Sequence, residues 1–137
     1  MGYTIRTTVE SDFDDVVDET IEALESEGFG VLCDIDVRAT FAKKLDEEFR
    51  QYRILGACNP ALARDGLDEE IELGALLPCN VAVYETDEGS IAVSAVDATE
   101  LVGLTDSAAL DSIGDEVRDR FERVVGTVED AFRHAGE

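Results

Sequence analysis

Seven apolar residues near the end of the chain step by three or four: Leu110, Ile113, Val117, Phe121, Val124, Val128 and Phe132. This stripe predicts one long amphipathic helix over residues 108–134. A helix that is apolar along one side must bury that side against another layer. Gly114 and Gly126 stand inside it, each costing up to ~1 kcal/mol relative to alanine. The rest of the chain therefore has to supply a surface for this helix.

The upstream patterns are those of strands and shorter helices. Tyr3, Ile5, Thr7 and Val9 alternate with mostly polar neighbours, as in a first strand. Ser11 or Asp12 caps a helix, with Asp14 in a capping-box position after Ser11. Phe13, Val16, Val17, Ile21 and Leu24 form its apolar face, and Gly28 stops it. Val31, Cys33, Ile35 and Val37 share one parity and predict a second strand with one buried face. A helix is expected next, over residues 39–49, with Phe41 and Leu45 at helical spacing. Residues 52–58 read as a third strand, and Asn59-Pro60 as the cap and first position of another helix. Residues 73–77 are looser. Residues 81–84 and 91–96 are strands joined by the turn Thr86-Asp87-Glu88-Gly89. Residues 100–106 read as a loop. The hairpin makes at least part of the sheet antiparallel, and the one-sided alternation places helices on one face only. The expected class is α+β, with about five strands and a long C-terminal helix.

The length of 137 residues favours a single domain over 1–137. Thirty-three Asp and Glu against 11 Lys and Arg give a formal net charge of −22. Disorder is excluded because 45% of the residues are apolar and fall in periodic segments. The acid is spread along the whole chain, and Lys43 and Lys44 are the only lysines. This is the balance of a salt-adapted, halophile-type surface: at ~1 M salt the Debye length is ~3 Å, which screens the self-repulsion. No basic stripe exists to neutralise phosphates, so nucleic acid and anionic membranes are not expected partners. No apolar run approaches the ~20 residues of a membrane span. The polar, acidic residues 1–18 do not read as a signal peptide. Three cysteines without Cys-x-x-Cys spacing suit reduced thiols in a cytoplasm.

Two Cys-Asn corners stand out: Cys58-Asn59 before Pro60, and Cys79-Asn80 after Pro78. Cys58 ends a strand directly before a capped helix start, where backbone N–H groups favour an anion and lower a thiol pKa. Such a thiol is a nucleophile or a soft-metal ligand, with Cys79 as its partner. Structural zinc usually needs four ligands, however, and the single histidine, His134, lies near the C-terminus. Asn59 and Asn80 fit side-chain to backbone capping. Tyr52-Arg53 offers two readings: a phenol and a guanidinium beside a pocket, or an Arg53 that pairs with one of the many surface acids. Glu85 shares parity with Cys79, Val81 and Val83 and is a candidate base if it faces inward. Cys33 reads as core filler. Glycine-rich nucleotide loops, a phosphate-loop lysine and a nucleophile elbow are absent.

Residues 52–63, Tyr-Arg-Ile-Leu-Gly-Ala-Cys-Asn-Pro-Ala-Leu-Ala, together with Leu76-Leu77-Pro78-Cys79-Asn80-Val81, resemble the signature of domain-of-unknown-function family 302. Gly28-Phe29-Gly30-Val31-Leu32 and Asp36-Val37 resemble it too. The resemblance implies a small α+β domain similar to the TATA-binding-protein-like fold, with a curved antiparallel sheet and helices on one side. It implies no activity and no cofactor, and it is compatible with a homodimer formed across the open sheet face. Two functions remain open. One is a binding or assembly module, for a small-molecule ligand or a second copy. The other is a thiol site, redox or soft-metal, formed by Cys58 and Cys79 with Asn59, Asn80, Tyr52 and Arg53 nearby.

Overall fold

The α+β reading is borne out by a computed structural model that describes residues 2–133. In chain order the elements are Thr4–Val9 (β1), Phe13–Ser26 (α1), Gly30–Asp36 (β2), Val37–Leu45 (α2), Tyr52–Cys58 (β3) and Pro60–Glu69 (α3). Cys79–Glu85 (β4), Ile91–Val96 (β5), Ala98–Gly103 (α4) and Asp111–Phe132 (α5) complete it. The strands form one open antiparallel sheet in the order β1-β5-β4-β3-β2.

Helices α1 and α5 lie on one face of this sheet and enclose the core. The α5 stripe buries Val117, Phe121, Val124, Val125 and Val128, and α1 contributes Phe13, Val16, Val17 and Leu24. From the sheet come Leu55, Val81, Val83 and Val93, each fully buried. Phe121 sits at the centre with its ring 4.8 Å from that of Phe29. Removing a ring of this kind costs about 3–5 kcal/mol. Gly28 has φ +87° and stands just past the end of α1, where the N–H of Phe29 returns to the carbonyl of Leu24 at 2.9 Å. That closure turns the chain sharply into β2.

Several boundaries differ from expectation for identifiable reasons. Asp12, and not Ser11, stands at the cap of α1, so the Ser11–Asp14 capping box does not form, and the Asp12 side chain makes no capping hydrogen bond. The α2 helix begins at Val37, capped by Asp36 through the N–H of Ala39 at 2.9 Å, and ends where Asp46 takes a left-handed φ of +55°. It therefore stops short of Phe49. Residues 100–106, read as a loop, contain most of α4, because Asp97 accepts from the N–H of Thr99 and starts a helical turn. The looser stretch before Pro78 is a 3₁₀ turn at Ile71–Leu76. The last helix starts at Asp111 after a short 3₁₀ turn, and its expected end at His134 lies outside the described residues.

The most consequential correction concerns β2. Val31 pairs with Ala57 and Cys33 with Gly56, so Leu32 is an extra residue in a β-bulge. A bulge reverses the parity of every later residue in its strand. Val31 packs against the core, whereas Cys33 and Ile35 turn to the opposite face. Cys33 is exposed and is not core filler, and β2 has no buried face of its own.

Candidate functional site

The two Cys-Asn corners meet at the end of β3 and the start of β4. Ala57 pairs with Cys79, which places Cys58 one residue beyond the partner of Cys79 on the neighbouring strand. Asn59 caps α3, its Oδ1 accepting from the N–H of Leu62 at 3.1 Å, with Pro60 in the first turn. The amide of Asn59 packs against the turn after α1. A Cβ at Gly28 would stand 3.0 Å from Asn59 Nδ2 and 3.1 Å from Arg120 Nη1. Arg120 in turn donates to the carbonyl of Glu27 at 3.0 Å. These contacts hold the corner to both α1 and α5.

Cys58, Asn59 and Cys79 line a crevice with Leu62, Leu77 and Val117. Its volume is about 50 Å³. That is space for one or two water-sized groups, far below the roughly 300 Å³ at which ordinary ligand pockets begin. Burial pushes the Cys79 thiol up to about 11, and Cys58 beside it adds to the rise. A nucleophile or a soft-metal ligand has to be a thiolate, so this environment opposes both roles for Cys79. Among the described residues, no group of three or more His, Cys, Asp and Glu side chains is placed to hold a metal ion.

The other candidates do not join this crevice. Strand alternation turns Cys79 towards the helices and Asn80 to the open face. Tyr52 is on the open face too, opposite Tyr84, with the two rings stacked 5.0 Å apart. Arg53 is held by Asp34 through a two-pronged ion pair, with Nε to Oδ1 at 2.7 Å. Glu85 accepts from the N–H of Gln51 at 3.0 Å and ties the hairpin to the chain entering β3. The expected site thus divides into an apolar crevice under the helices, Tyr52 and Asn80 on the open face, and Arg53 with its Asp34 partner at helix-side positions of β3 and β2.

That open side holds the larger concavities, and sequence reasoning missed most of their residues. A trough of about 430 Å³ is lined by Arg6, Tyr52, Pro78, Asn80, Tyr84 and Ser94, among others. Arg6 on β1 lies opposite Ser94 on β5, and its guanidinium stands 6.0 Å from the centre of the Tyr84 ring. A second concavity of about 470 Å³ lies between α2 and the β2–β3 end of the sheet, around Ile35, Phe41, Phe49 and Ile54. The Phe41 and Phe49 rings are 5.1 Å apart, and Phe49 is 6.1 Å from Tyr52. Aromatic side chains therefore run continuously from α2 to Tyr84, where Arg6 continues the row.

Residues 5–128 match the family described as "Domain of unknown function DUF302". The chain belongs to this family. A DUF302 protein from Bacillus stearothermophilus, described as an uncharacterized conserved protein, has a crystal structure similar to the present one. The TM-score is 0.87 at 26% identity, over 93% of this chain and 99% of that one. A search of curated proteins finds no match. The DUF302 resemblance carried by residues 52–63 and 76–81 is therefore confirmed. In the folded chain, those two segments border both the crevice and the trough. Among the described residues, no helix is long and apolar enough to cross a membrane.

Proposed function

We propose that this DUF302 chain is an assembly module that pairs with a second copy through the β2–α2 half of its open sheet face. One observation carries the reading. The chain has 33 carboxylate side chains, yet none stands at an open-face position of the five strands, and none lies within α2. Two copies of a molecule with net charge −22 repel each other wherever carboxylates meet. The strand and α2 positions of this face carry no carboxylate, whereas Asp46, Glu47 and Glu48 follow directly in the chain between Leu45 and Phe49.

The apolar side chains there support the same reading. Ile35 is 45% exposed, Leu45 58% and Phe49 39%. Helix α2 buries none of its residues, although a helix of nine residues is marginal without a packing partner. A patch of this kind on a protein surface marks an interface, and a two-fold axis through it closes the assembly at two copies.

Sedimentation equilibrium in molar potassium chloride tests the proposal. The expected result is twice the chain mass at micromolar concentration, with Ile35→Asp shifting the species to the monomer. Leu104→Asp, at an exposed leucine outside this half of the face, should leave the dimer intact. A monomer at every concentration, or a dimer indifferent to Ile35→Asp, overturns the reading.

A further inference from the structure

The β1–β5–β4 half of the open face differs in kind from the half assigned to pairing. Its trough has the volume of an ordinary ligand pocket and mixes polar and apolar walls. One wall is the row of Tyr52, Tyr84 and Arg6, and Pro78 stands on another side. The floor is small because Ala82 and Ser94 sit between the large side chains. Arg6 is the only charged residue at an open-face strand position. Among the described residues, every arginine other than Arg6 and Arg38 forms an ion pair with a carboxylate. A cation left unpaired amid 33 acids therefore faces a polar trough instead of a neighbouring carboxylate. Neither Asn80 nor Ser94 makes a side-chain hydrogen bond to another described residue, so the lining of the trough also holds a free amide and a free hydroxyl.

We propose that this trough binds a small organic anion, with its oxyanion group on Arg6 and its apolar body between the tyrosine row and Pro78. A guanidinium offers paired donors that match a carboxylate or a phosphate. Asn80 and Ser94 add neutral hydrogen-bond donors, as does the Tyr52 phenol, whose pKa burial raises above its usual value. The net charge of −22 opposes an approaching anion only at long range. At ~1 M salt, where the Debye length is ~3 Å, direct contact with Arg6 outweighs it. The inference does not rest on pairing of copies: the two concavities share Tyr52, but Arg6, Asn80 and Ser94 line the trough alone.

Isothermal titration calorimetry in molar potassium chloride, with benzoate, phenyl phosphate and neutral benzamide as probes, tests it. Saturable binding of at least one anion is expected, at least tenfold tighter than benzamide, and Arg6→Gln should weaken it at least tenfold. Which anion binds more tightly tells a carboxylate ligand from a phosphate ester. Arg6 is exposed, so the variant should keep the wild-type circular dichroism spectrum. The benzamide comparison on the wild-type protein stands independently of any variant. No saturable binding of either anion, equal binding of benzamide, or undiminished binding by a folded Arg6→Gln protein overturns the inference. Sedimentation of Arg6→Gln separates this result from pairing, which should be unchanged.

Discussion

Cys79 shows how a single residue answers to its surroundings. Both sequence corners present a thiol next to an asparagine, and the helix start beside Cys58 favours that one on local grounds. Burial sets them further apart, because it penalises the charged form of Cys79 and pushes its pKa from 9.0 up to about 11. In the unfolded chain this thiol ionises near pH 9, while in the folded chain it stays neutral to about 11. Its contribution to stability is fully present below pH 9 and is lost as the pH rises through 11. Two units correspond to roughly 3 kcal/mol. Denaturant titrations from pH 8 to 11 should show a loss of this order in the wild type that is missing from Cys79→Ala. Equal pH slopes for the two proteins would contradict the account. By the same reasoning, Cys79 should resist iodoacetamide at pH 8 in the folded protein.

Helix α5 brings two glycines under one rule and separates them by packing. Propensity penalises Gly114 and Gly126 alike. A Cβ at Gly114 would stand 2.7 Å from Val102 Cγ2 and 3.3 Å from the carbonyl oxygen of Ala98, so α4 can press against α5 only because that Cβ is missing. A Cβ at Gly126 meets nothing within 4 Å. Gly126→Ala should therefore raise stability by about 0.5–1 kcal/mol, the ordinary helix gain. Gly114→Ala should lower it by about 1–3 kcal/mol through overpacking. Thermal denaturation of the two variants checks this, and a Gly114→Ala protein more stable than the wild type would refute the packing argument. Strand β2 shows the same dependence on packing in another form. One extra residue, Leu32, reverses which side chains face the core.

For the molecule as a whole, the governing quantity is charge. Helices α1 and α5 carry their acids on the outside, and arginines such as Arg118 and Arg123 tie α5 to Asp97 and Glu27. Exposed pairs such as Arg64–Asp68 contribute at most about 1 kcal/mol each, too little to offset a net charge of −22 without screening. The protein should therefore lose helical circular dichroism when molar salt is dialysed to millimolar. A spectrum unchanged over that range would count against a salt-adapted surface. The same argument explains why a face without carboxylates matters here more than on a protein of balanced charge.

Much of the fold is legible in one dimension because the periods of helix and strand depend on nearest neighbours. The stripe from Leu110 to Phe132, the alternation through β1, the Asn59-Pro60 start and the turn ending at Gly89 all have local causes. The family signature around Cys58 and Cys79 is legible for the same reason. The candidate site is only half so. The sequence shows that the two thiols stand at strand ends, and adjacent pairing of β3 and β4 brings them together. Alternation already sets Asn80 opposite Cys79, but it does not show that a concavity lies on that side, or that Arg6 on β1 meets Tyr84 on β4 across the intervening strand β5. Those facts come from the order β1-β5-β4-β3-β2. Strand order and register are settled by which faces can be buried together, and burial belongs to the assembled layers and not to any segment alone.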